Sequence, residues 1–175
     1  MLPPQPSNIG TLMEFRDRKH PRLKNYDYSL PGYYYVTIHN EKGAPSLSTI
    51  RQGSALSKAV VRLTTYGKIA QQQLFALEKR YAYVKIDQYV IMPTHIHAII
   101  VLTPGEGPRP TLMDIIRAYK SLTTRACNER FAPESRKLFQ TSFYESVLRN
   151  EQAYRECWQY IEENPAKWLL NPEDI

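Results

Sequence analysis

The sequence predicts an α+β fold built on one antiparallel sheet, and three observations carry that prediction. Short β-branched and aromatic runs alternate with longer stretches of helical spacing. Two of those runs, Tyr83–Ile91 and His95–Leu102, are separated only by Met92-Pro93-Thr94 and read as a hairpin. The order along the chain is strand, helix, strand, strand, helix, strand, helix. The first six elements follow the βαββαβ arrangement of ferredoxin-like sheets, with both helices on one face. The seventh is an additional C-terminal helix.

Each element has a local reason. Tyr33–His39, YYYVTIH, is β-branched and aromatic and follows Pro31-Gly32, so it reads as a strand. Residues 41–63 carry turn signals at Gly43 and Gly53 and suggest a hairpin-like excursion. Thr65–Leu77 is helical, because Tyr66, Ile69, Ala70, Gln73, Leu74 and Leu77 recur at 3–4 spacing. Thr103–Pro110 is a loop. Thr111–Cys127 is a helix with Leu112, Ile115, Ile116, Tyr119, Leu122 and Ala126 on one stripe. Phe139–Leu148 reads as a strand. Glu151–Glu163 is a helix that Pro165 is expected to end.

The chain has 175 residues, suited to one domain at 14–175 after a loose Pro-rich tail at 1–13. It has 13 Tyr, against 5 Phe and 2 Trp, and a net charge of +6. That combination suggests nucleic acid without separating a binding module from an enzyme. Half of the charge falls in a basic arm at 14–25, where Arg16, Arg18, Lys19, Arg22 and Lys24 face two acidic residues. The arm is a candidate for phosphate contacts or simply a solvated surface. Arg117, Lys120 and Arg125 on the second helix form another candidate group for DNA. No apolar run is long enough for a membrane helix. The N-terminus lacks a secretory layout, and the two cysteines, without a CxxC, fit a reducing cytoplasm.

Candidate chemistry starts at His95 and His97. Two residues apart on a strand, they share a face, while Ile96, Ala98, Ile100 and Leu102 make the opposite face apolar. The two imidazoles are candidate metal ligands, and two cannot complete a metal's shell. Ile99, in the third place, argues against a His-x-His-x-His hydrolase motif. On the last helix a core stripe is expected at Tyr154, Cys157, Trp158 and Ile161. Tyr160 lies roughly 100° from its centre at 3.6 residues per turn, and Asn164 shares its flank. That pair could set a nucleophile beside a metal ligand, or be a half-exposed tyrosine and a helix-end asparagine. Tyr119 is a rival nucleophile, but it sits on its helix's apolar stripe.

Several segments, in order over roughly 20–168, together resemble one family. They are Asn25-Tyr26-Asp27-Tyr28, Tyr34-Tyr35-Val36-Thr37, Tyr89–Ile100 (YVIMPTHIHAII) and Ala118-Tyr119-Lys120-Ser121. They continue with Phe143-Tyr144-Glu145, Leu148-Arg149-Asn150-Glu151 and Tyr160-Ile161-Glu162-Glu163-Asn164-Pro165. The chain resembles the single-tyrosine HUH transposases, and most of all their REP-associated tyrosine transposase branch. The resemblance implies that His95, His97 and Asn164 are metal ligands, that Tyr160 is the nucleophile, and that the ion is Mg²⁺ or Mn²⁺. It implies single-stranded DNA beside a hairpin as substrate, and a 5′-phosphotyrosine intermediate. Many relatives have a histidine where this chain has Ser146. Family members include dimers, so monomer and homodimer both stay open. A phenol with a pKa near 10 needs a base or a nearby cation, and Glu156, one turn earlier, is one candidate. Two other readings remain: a non-catalytic nucleic-acid-binding module, and a metal-dependent phosphoesterase that uses water.

Overall fold

The computed structural model describes residues 22–54, 59–131 and 136–171. The tail at 1–13, and Arg16, Arg18 and Lys19 of the arm, lie outside these residues. Four strands form one sheet: β1 (Gly32–His39), β4 (Val84–Ile91), β5 (His95–Leu102) and β6 (Tyr144–Leu148). Their order is β4-β5-β1-β6, and every neighbouring pair is antiparallel. With α1 (Thr65–Arg80) and α2 (Leu112–Phe131) as crossovers, this is the expected βαββαβ topology. The excursion after β1 is a separate two-stranded ribbon of β2 (Ser48–Gln52) and β3 (Ala59–Leu63).

Strand alternation gives the sheet two different faces. On one, Tyr34, Val36, Ile38, Ile96, Ala98, Ile100 and Leu102 pack with α1 and α2 in the main core. Tyr119 is fully buried in that core. On the other, Tyr35 and Ile99 form a smaller cluster with Cys157 and Ile161 of α3 (Glu151–Leu170). Both faces of β5 are therefore covered, which is why His95 and His97 are 1% and 4% exposed.

Local chemistry fixes the ends of the helices. Thr64 caps α1 by accepting from the Gly67 amide at 3.2 Å, and Asn150 caps α3 by accepting from the Ala153 amide at 2.8 Å. Thr111 and Asp114 exchange bonds at the start of α2 in the reciprocal manner of a capping box. Gly67 has a steric role too. A Cβ there would stand 1.9 Å from the Leu47 carbonyl oxygen, which accepts from the amide and hydroxyl of Thr64. Gly67→Ala is expected to cost about 1–3 kcal/mol through this overlap. Urea unfolding reads the loss, and an unchanged midpoint would contradict the close approach.

Three expectations are corrected. Pro165 does not end α3, which continues to Leu170. The proline removes one helical bond, a loss of about 3 kcal/mol. Its own burial and the packing of Trp168 against His95 hold the last turns in place. Trp158 is not core: it is 36% exposed, and the buried stripe runs instead through Cys157, Ile161, Asn164 and Pro165. The last strand starts at Tyr144. Phe139 makes only a bridge to Asn40, and the carbonyls of Gln140 and Thr141 turn to accept from Lys120 Nζ.

Candidate active site

The β1–β5 register builds the site. It sets Thr37 opposite His97 and His39 opposite His95, so all four share the face that α3 covers. The rings of His95 and His97 meet edge-on, with centroids 4.5 Å apart. Two hydroxyls engage Nδ1 of His97, Tyr35 Oη at 2.7 Å and Thr37 Oγ1 at 3.0 Å. The Thr94 hydroxyl lies 3.1 Å from Nδ1 of His95. Hydroxyls at Nδ1 of His97 fix the ring orientation and leave Nε2 as the nitrogen that could coordinate a metal. Burial, with His95 and His39 close by, holds His97 well below the usual histidine range. It is therefore the neutral imidazole that a metal requires.

α3 brings the other two residues. Tyr160 is half-buried, and its ring centroid lies 5.4 Å from that of His97 and 6.4 Å from that of Tyr35. Asn164, one turn on, is fully buried on the stripe that packs against this face. Neither its Oδ1 nor its Nδ2 has a hydrogen-bond partner among the described residues, and the same is true of His97 Nε2. A buried amide with both ends unbonded costs about 1–3 kcal/mol per group, so such an amide calls for a ligand. Imidazole nitrogens and an amide oxygen are a fitting donor set for a divalent cation. Among the described residues no group of three His, Cys, Asp or Glu is placed to hold a metal. Asn164 could supply an oxygen donor alongside the histidine pair.

Three other tyrosines, Tyr35, Tyr119 and Tyr154, are poorly suited to act as nucleophiles. Burial, with Tyr160 nearby, pushes the Tyr35 phenol well up. Tyr119 is also shifted up by burial, and its hydroxyl donates to the Ala70 carbonyl. Tyr154, pushed up to about 12 by burial and by Asp87, donates to that carboxylate at 2.8 Å. Asp87 lies at the register shift of β4, where a bulge can re-aim a side chain. Glu156, the candidate base, is exposed and accepts from Gln152 Nε2 at 3.0 Å.

The basic candidates stand elsewhere. Arg117, Lys120 and Arg125 are on α2, in the layer on the far side of the sheet from Tyr160. Arg117 pairs with Asp114, and Lys120 holds the loop before β6. Arg22 is 4.0 Å from Glu145 and lies over the Phe143 ring, while Lys24 is exposed. The sequence reading passed over Tyr35, Thr37, Thr94, Lys167 and Trp168. Alternation from His97 across the paired strand would have found Thr37 and Tyr35, but only once the register was known.

The histidine pair of β5 thus lies on the sheet face covered by the extra C-terminal helix, which carries Tyr160. Residues 62–164, more than half of the chain, match the family model described as Transposase IS200 like, and the chain belongs to that family. It is 29% identical over 92 residues to the REP-associated tyrosine transposase of Escherichia coli, a match spanning 51% of this chain and 50% of that protein. It is 26% identical over 169 residues to an uncharacterized protein of Haemophilus influenzae, covering 86% of this chain and 89% of that one. Its fold is similar to that of a REP-associated tyrosine transposase solved bound to a REP hairpin. That match has a TM-score of 0.60 and 21% identity, over 85% of this chain and 74% of the other. No helix among the described residues is long and apolar enough to cross a membrane.

Proposed function

We propose that this enzyme cleaves and rejoins single-stranded DNA beside a hairpin through a covalent 5′-phosphotyrosine at Tyr160. The observation that carries this reading is the placing of Tyr160 against His97, one turn before a buried Asn164 whose amide is unbonded. A divalent cation, Mg²⁺ or Mn²⁺, bound through His95, His97 and Asn164 supplies positive charge at the scissile phosphate. Tyr160 Oη attacks phosphorus in line. The Oη–P bond forms as the P–O3′ bond breaks. The phenolic proton leaves to solvent, and the 3′ oxygen takes one up. The exchange of one phosphoester for another keeps the bond energy, so a second 3′ hydroxyl can reverse it without a nucleotide cofactor. The basic charge of residues 14–25 suits contact with DNA phosphates, a contribution that should fall as salt rises.

A labelled single-stranded hairpin oligonucleotide, incubated with the protein and Mn²⁺ and then denatured, tests the reading. A covalent adduct supports it. Free cleaved product would indicate attack by water, and uncut DNA would indicate a binding module. The hydroxyls behind His97 give a further prediction. Thr37→Val removes one of them, and the Mn²⁺ concentration for half-maximal cleavage is expected to rise about 10–100-fold. An unchanged metal titration would contradict the assigned orientation of His97.

A further inference from the structure

A cation stands over the ring of the assigned nucleophile. Lys167 Nζ is 5.4 Å from the centroid of Tyr160. Seven residues is close to two helical turns, so both side chains lie on one flank of α3. Glu163, between them, pairs with Lys167 at 3.0 Å and accepts from Gln159 Nε2 at 2.6 Å with its other oxygen. These two partners hold Glu163 below the usual carboxylate range, so it stays anionic. The Lys167 and Glu163 side chains are 49% and 43% exposed. Solvent screens such a pair, and it contributes little to stability. Among the described residues, no other Lys or Arg lies over the Tyr160 ring.

We propose that Lys167 leaves Glu163 when DNA binds and that its Nζ, which already stands over the Tyr160 ring, pairs with a non-bridging oxygen of the scissile phosphodiester. This rests on the assignment of Tyr160 as nucleophile. Lysine suits the exchange, being a compact point charge on a flexible four-carbon stem. Charge builds on the non-bridging oxygens as phosphorus takes on the fifth ligand. A cation beside the attacking oxygen therefore stabilises the transition state more than the ground state. No bond changes other than those of the tyrosine transfer.

Single-turnover adduct formation with labelled hairpin DNA and Mn²⁺ tests this role in three variants. Lys167→Met keeps the stem and removes the charge, Lys167→Ala removes both, and Lys167→Arg keeps the charge. The Met and Ala variants should form adduct about 10²-fold more slowly, with far smaller changes in DNA affinity. The Arg variant should recover most of the rate. Wild-type rate in Lys167→Met would overturn the proposal. Equal losses in the Met and Arg variants would also overturn it, because the stem rather than the charge would then matter. If the wild-type protein itself forms no adduct, the assignment of Tyr160 fails and the role of Lys167 fails with it.

Discussion

Tyr160→Phe is expected to reduce the covalent protein–DNA adduct to background while DNA binding changes little. In the proposed mechanism the phenol oxygen is the atom that bonds to phosphorus, so its deletion removes the reaction rather than slowing one step of it. The ring, which packs edge-on with Tyr35 and His97, is retained in the variant. A folding defect is therefore not expected, and the unfolding midpoint checks this. Tyr119→Phe is the matched control. Its hydroxyl is buried in the main core against the Ala70 carbonyl, so losing it should spare the adduct. Full adduct in Tyr160→Phe, or loss only in Tyr119→Phe, would reverse the assignment.

Asn164→Ala is expected to separate activity from stability. Asn164 is fully buried, with no hydrogen bond to either amide atom among the described residues. Removing an unsatisfied buried amide relieves about 1–3 kcal/mol of desolvation, and alanine is the better helix former. These gains oppose the small packing loss, so stability without divalent metal should be no lower than in the wild type. Adduct formation should fall about 10²-fold or more, because the proposed oxygen donor to the metal is lost. Mn²⁺ should also raise the wild-type melting temperature and have a smaller effect on the variant, because only a ligand held by the fold stabilises it. An ordinary large destabilisation, with Mn²⁺ protecting both proteins equally, would make Asn164 a packing residue.

The two faces of β5 were legible in the sequence, because period-2 alternation separates His95 and His97 from Ile96, Ala98 and Ile100 without reference to anything distant. Tyr160 and Asn164 were legible as a pair through their i, i+4 spacing. The true stripe of α3 was not. Trp158 is apolar and suitably spaced, yet it faces outward, because the sheet and ribbon against which α3 lies select the Cys157–Ile161–Asn164 line. Pro165 misled for a related reason. Local preference stops a helix there, whereas the tertiary packing of Pro165 and Trp168 carries it on. Tyr35 and Thr37 looked like ordinary strand residues. Their contacts with His97 depend on a partner 60 or more residues away, which spacing along one strand cannot reveal.

The most direct test of the central claim is the position of the label that stays with the protein. One hairpin oligonucleotide is labelled at its 5′ end and another at its 3′ end. Each is incubated with the protein and Mn²⁺, denatured and digested to peptides. Attack by Tyr160 with release of the 3′ hydroxyl predicts that the 3′ label is retained, on the peptide containing Tyr160, and that the 5′ label is released on a free strand. Retention of the 5′ label, attachment at another residue, or cleavage with neither label bound to protein would contradict it.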